Sequence, residues 1–198
     1  MPQPGSLLLV RHGESTANAA GLFTGILDVG LTELGFAEAR AAANLVEAAH
    51  YRFDVVYISE LIRTWQTAEI ILTAFNLHPA LWPDWRLNER NYGALTGRSK
   101  HDVLTDYGEA TFLRWRRSVN VAPPPMPDDQ FEVLGRTLPF SALPAAALSR
   151  TESLADVIDR VRVFSMQRVV PELLLGTNVL VVGHGNSLRA LCAELDQL

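Results

Sequence analysis

Residues 6–10 form a short apolar run that breaks abruptly at Arg11, His12 and Gly13, which predicts a buried strand delivering polar groups at its carboxyl end. Residues 54–58 read as a second strand, and residues 178–182 as a further one that ends in Gly183-His184-Gly185. Between them the apolar positions recur at helical spacing. Residues 33–49 predict a helix capped by Thr32, with Leu31 and Phe36 spaced as a hydrophobic staple. Ser59 is placed to cap a helix running to about Phe75, and Ser153 with Asp156 has the spacing of a capping box opening a helix to about Val170. The alternation of strand and helix predicts an α/β fold, a mostly parallel sheet with helices on both faces. From about residue 82 to 150 the rhythm breaks into short helical pieces (99–107 and 109–118) and a proline-rich stretch, 121–127. This reads as a helical and loop lid inserted into one domain spanning residues 1–198.

Composition narrows the function classes. With 198 residues and 48% hydrophobic content the chain buries a core of its own, and its longest apolar runs fall far short of the roughly 20 residues of a membrane span. No basic segment followed by an apolar one opens the sequence, so the expected setting is the cytoplasm, away from membranes. The formal net charge of −5 argues against nucleic acid as a partner. Cys192, the one cysteine, sits in an apolar helical stretch and reads as a buried, inert thiol. Five scattered histidines and one cysteine are poor material for a metal site, and the glycines form neither a P-loop nor a dinucleotide fingerprint.

Two strands ending in His-Gly change the picture, because ligands of open α/β sheets bind outside the carboxyl ends of strands. An unprotonated histidine serves as a nucleophile that splits one transfer into two easier steps. Gly13, lacking a Cβ, leaves room for a phosphate near the backbone. Phosphoryl transfer then requires cations around the spread charge, and Arg11, Arg63 and His184 all lie just past strand ends. By spacing alone Arg63 reads first as an exposed helix-surface arginine, and His12 as a histidine satisfied by a nearby carbonyl. A carboxyl group must also exchange a proton with the substrate hydroxyl, for which Glu89 is the candidate, although spacing does not select it among the other acids.

The segment Leu9-Val10-Arg11-His12-Gly13-Glu14-Ser15 resembles the opening of the histidine phosphatase superfamily. The likeness continues through Asn18, Phe23-Thr24-Gly25, Leu31-Thr32-Glu33-Leu34-Gly35, the stretch from Arg86 through Leu87-Asn88-Glu89-Arg90-Asn91-Tyr92 to Gly97, Trp115-Arg116-Arg117-Ser118, Thr151-Glu152-Ser153-Leu154 and His184-Gly185-Asn186-Ser187-Leu188-Arg189. The Leu-Asn-Glu-Arg and Trp-Arg-Arg segments are similar to the cofactor-dependent phosphoglycerate mutase branch. That resemblance implies interconversion of 3-phosphoglycerate and 2-phosphoglycerate, primed by 2,3-bisphosphoglycerate and without a metal. It implies that His12 carries the phosphoryl group, that Glu89 moves the proton, and that Arg11, Arg63 and His184 clamp the phosphate. Ser15, Asn18, Thr24, Gly25, Gly185 and Asn186 complete the pocket, while Arg90, Tyr92, Lys100, Arg116 and Arg117 hold the far end of a small phosphorylated carboxylic acid. Lys100 is the only lysine of the chain. A homodimer or homotetramer is the assembly that goes with this resemblance.

Two departures bear on these expectations. Family members continue for several tens of residues past the last matching helix, through another strand and a mobile tail that helps close the site, whereas this sequence ends at Leu198. An open site exposes a phosphohistidine to water. Residues 131–150 are also more apolar than their counterparts around the family's substrate lid. The alternatives are therefore a phosphatase of the same superfamily that discharges His12 to water, and a non-catalytic member that binds a phosphorylated ligand or a protein.

Overall fold

The computed structural model of the protein describes residues 3–77 and 80–196, so Leu198 lies outside the described residues. Strand β1 (Leu7–Arg11) leads into a short helix α1 (Thr16–Ala19) and then α2 (Glu33–Ala48); β2 (Val55–Ile58), α3 (Ile62–Ala74) and β3 (Leu81–Pro83) follow. A long excursion carries α4 (Lys100–Arg117) and α5 (Asp128–Gly135). The chain then returns through α6 (Leu154–Phe164), α7 (Val170–Leu174), β4 (Val179–Gly183) and α8 (Gly185–Leu195). Among the described residues these four strands pair in parallel, in the order β1-β4-β2-β3.

The last strand in sequence is thus central, and β4 is buried along its whole length, as a continuous apolar run demands of a strand covered on both faces. Alternate residues serve alternate faces. Val56, Ile58, Leu180 and Val182 pack with Ala43, Val46, Ala68 and Ile71 of α2 and α3. Tyr57, Val179 and Val181 pack with Val157, Val161 and Leu191 of α6 and α8. The expected α/β sheet with helices on both faces is what the structure has.

Helix ends follow local chemistry. Thr32 Oγ1 accepts the Gly35 N–H at 3.0 Å, and Ser153 and Asp156 bond reciprocally as a capping box. Gly108, at φ 74°, interrupts α4 where the two predicted pieces meet. The helix expected to reach Val170 instead widens into a π turn over Ser165–Val169, just before Pro171, whose nitrogen has no hydrogen to continue the ladder. β3 was not foreseen: three residues with an exposed Trp82 and a proline carry no strand pattern, and such a segment is tolerated at a sheet edge.

Apolar residues of the atypical stretch 131–150 have a packing explanation. Phe140, with Phe131, Leu134, Leu143 and Leu148 around it, joins Ile26, Leu61 and Met126 in a separate small core. Cys192 is exposed, not buried as expected, because it falls on the outer side of α8 while Leu191 faces the sheet. Among the described residues no helix is long and apolar enough to cross a membrane.

Candidate active site

Because β1 and β4 are parallel neighbours in register through Arg11 and Gly183, the residues one step beyond, His12 and His184, emerge side by side. Their ring centroids are 4.9 Å apart, edge to face. The His12 N–H donates to the Gly183 carbonyl at 3.1 Å, and both side chains are buried.

Nδ1 of His12 lies 2.6 Å from the Gly13 carbonyl oxygen, which only accepts, so Nδ1 holds the proton and Nε2 keeps its lone pair. Burial, then Arg63 and Arg11, lower the His12 pKa to about 3 against a partial rise from the Gly13 bond, so the ring is neutral at pH 7. His184 is pushed well below the ordinary histidine range by burial and then by Arg63. Its Nε2 is 2.7 Å from Ser59 Oγ. Ser59 Oγ also lies 2.9 Å from Thr64 Oγ1, and Nδ1 of His184 is buried without a partner.

Two histidines held neutral make the fold sensitive to acid. The unfolded chain takes up protons near pH 6.5 and the folded His12 only near 3, so the folded state loses stability as pH falls through that window and neither histidine changes it above. A melting series from about pH 8 to about pH 4 is expected to show a midpoint that drops below about pH 6.5, less steeply in His12→Asn. Equal acid sensitivity in both proteins would mean that His12 is not held neutral.

A cavity of about 130 Å³ opens beside the His12 ring, lined by Arg11, His12, Asn18, Thr24, Gly25, Arg63, Glu89, Tyr92, Lys100 and Arg116, with Leu22 and Phe23 as its apolar wall. His184, expected to clamp the phosphate, stands against the His12 ring and does not line the cavity. Far from being a surface residue, Arg63 is fully buried. Its Nη1 and Nη2 donate to the carbonyls of Leu27 (2.7 Å) and Gly25 (2.9 Å), and its Nε has no partner. Burial lowers its pKa to about 10, leaving it cationic at pH 7. Lys100 is lowered by burial and then by Arg116 and Arg11. Among the described residues Arg11, Arg63, Lys100 and Arg116 enter no ion pair, so their charge focuses on the cavity. The buried Arg63 Nε–H has no partner among those residues, which suits an anion at this cavity.

Glu89 is the cavity's one carboxylate. Its Oε1 accepts the Arg90 N–H (2.8 Å), Asn186 Nδ2 (3.0 Å) and the Asn186 N–H at the start of α8 (3.3 Å). Oε2 makes no hydrogen bond among the described residues.

The remaining expected residues stand elsewhere. The Ser15 hydroxyl is buried as the cap of α1, accepting from the Asn18 N–H. Arg90 is buried beneath the site, donating to the carbonyls of Glu152 and Val121. Arg117 is exposed on α4 and, with Gly185, does not line the cavity; Asn186 acts on Glu89 instead of on the cavity wall. Gly13 differs from expectation too: its N–H donates to Thr67 Oγ1, and a Cβ there would stand 2.2 Å from the Gly35 carbonyl oxygen. Two backbones pass closely at that point, which accounts for the glycine without an anion. Ser59 does not cap α3, whose N-cap is Leu61 without a side-chain bond; its hydroxyl serves His184. That role was legible in principle, since Ser59 follows the carboxyl end of β2.

Comparison with known proteins adds to this geometry. The family described as the histidine phosphatase superfamily (branch 1) matches residues 7–140. A 2,3-bisphosphoglycerate-dependent phosphoglycerate mutase of Thermobifida fusca is 43% identical over 197 residues, covering 98% of this chain and 78% of that protein. A phosphoglycerate mutase of Candida albicans is 44% identical over 194 residues, covering 97% and 78%. Among solved structures, a mycobacterial glucosyl-3-phosphoglycerate phosphatase superposes with a TM-score of 0.73 at 28% identity, covering 97% of this chain and 82% of that one.

Proposed function

Because this chain belongs to the histidine phosphatase superfamily, we infer that it interconverts 3-phosphoglycerate and 2-phosphoglycerate through a phosphohistidine at His12. The observation that carries the reading is a neutral His12, its Nε2 free, at a cavity ringed by cations that enter no ion pair among the described residues and by a single carboxylate.

In this reading the primed phosphohistidine at His12 gives its phosphoryl group to the free hydroxyl of 3-phosphoglycerate as the Glu89 carboxylate takes that hydroxyl's proton. His12 Nε2 then attacks the other phosphorus of the resulting bisphosphate, in line with its ester oxygen. The N–P bond forms as the P–O bond breaks, and Glu89 Oε2 gives its proton to the departing oxygen. The proton taken in the first transfer is thus returned in the second, which leaves His12 phosphorylated and Glu89 ionised for the next turnover. Arg11 and Arg63 compensate the charge on the equatorial oxygens, and the neutral His184 ring stands edge to face against His12. Lys100 and Arg116, supplied by α4, hold the carboxylate or second phosphate, whose acidic class their unpaired charge fits. The same two groups of cations suit 2,3-bisphosphoglycerate, which when bound supplies the phosphoryl group that primes His12.

The test follows 2-phosphoglycerate and free phosphate together in the purified chain given 3-phosphoglycerate and a trace of 2,3-bisphosphoglycerate. Prompt 2-phosphoglycerate with little free phosphate is expected. Free phosphate alone would favour the hydrolytic reading, which the likeness to the mycobacterial phosphatase supports. Glu89→Gln is expected to slow transfer by about 10²–10⁴ while leaving the affinity for inorganic phosphate unchanged. Wild-type kinetics in that variant would place the proton elsewhere.

A further inference from the structure

The segment that bears Glu89 has almost no regular structure to hold it. A helical turn ends at Leu87 and the next begins at Gly93. Its backbone groups instead converge on one buried ion pair. Arg160, on α6, donates Nη1 to the Arg86 carbonyl at 2.6 Å and Nη2 to the Glu89 carbonyl at 3.3 Å. The same guanidinium grips Glu152 as a fork, Nε to Oε1 at 2.7 Å and Nη2 to Oε2 at 3.1 Å. Glu152 Oε2 accepts the Asn91 N–H at 2.8 Å, and the Glu152 N–H donates to the Asn91 carbonyl at 2.9 Å.

The two side chains are only 10% and 12% exposed. A pair so placed gives up hydration that its attraction barely offsets, so stability alone is a weak reason for it. Its geometry suggests another. Glu89 is tied at the carboxylate to α8 through Asn186 and at the carbonyl to α6 through Arg160. The second tie needs a planar fork that reaches two carbonyls and a carboxylate at once, which lysine cannot reproduce.

We propose that Arg160, braced by Glu152, is a positioning residue that fixes the backbone from which the Glu89 carboxyl reaches the ester oxygen. The proposal rests on the reading of Glu89 as proton donor. A misplaced donor penalises a substrate whose leaving oxygen must be protonated and spares one whose leaving group departs as a stable anion.

The experiment compares two reactions, 3-phosphoglycerate conversion and the single-turnover burst of nitrophenolate as His12 is phosphorylated by p-nitrophenyl phosphate. Two variants are used. Arg160→Lys keeps the charge and loses the fork; Arg160→Gln with Glu152→Gln removes both charges together, so that none is left buried alone. Both are expected to lose about 10²-fold in kcat for 3-phosphoglycerate, with KM and the burst rate within about three-fold of wild type. A parallel fall in the two reactions, or no fall in either, would overturn the proposal by reducing the pair to a structural contact or less. Glu89→Gln separates the two claims. If it shows the selective loss and the Arg160 variants do not, the positioning role fails alone; if it slows both reactions equally, the proton-donor reading fails and takes the proposal with it.

Discussion

Replacing His12 with asparagine is expected to lower phosphoryl transfer by roughly 10⁴-fold or more while the chain stays folded. The activity goes because the lone pair of an amide nitrogen is delocalised into its carbonyl and does not form the N–P bond. The fold stays because the imidazole makes one local side-chain hydrogen bond, to the Gly13 carbonyl, and lies outside the two apolar clusters on the faces of the sheet. Its enforced neutrality is a cost to the folded state in acid, so the variant gains tolerance there. Labelled 2,3-bisphosphoglycerate checks the assignment: an acid-labile label is expected on the wild type and none on His12→Asn. Persistent labelling would move the nucleophile to the adjacent ring, His184.

What the sequence made legible was local. Caps and periodicity placed α2, the two parts of α4 and the start of α6, since Thr32, Gly108 and Ser153 act on their own neighbours. The sheet order was not local and did not show. β4 enters between β1 and β2, and that insertion sets His12 against His184 and brings Ser59 onto the His184 ring across 125 residues of chain. Arg63 illustrates the same limit. Its helical position reads equally well as surface, and only the loop carrying Gly25 and Leu27, folded over it, makes it a buried cation. Arg160 gave no signal, because its partners lie in segments whose proximity depends on that same packing.

Gly13→Ala is expected to destabilise the protein by about 3 kcal/mol or more, lowering the melting midpoint by roughly 6–12 °C. The added Cβ would stand 2.2 Å from the Gly35 carbonyl oxygen, 2.8 Å from its carbon and 2.9 Å from its Cα. No rotamer relieves a contact between two backbones; the strand tip or the first turn of α2 must move. The geometry is reciprocal, since a Cβ on Gly35 would meet the Glu14 carbonyl oxygen at 2.1 Å. Gly35→Ala is therefore expected to cost about as much, although Gly35 does not line the cavity. That comparison decides between two accounts of the His-Gly pair. If the glycine served the approach of phosphate, Gly13→Ala would weaken phosphate binding at an unchanged melting midpoint and Gly35→Ala would be silent. If it serves the crossing of two chains, both variants melt early and in parallel, and the position of His12 is set by how tightly β1 can pass the start of α2.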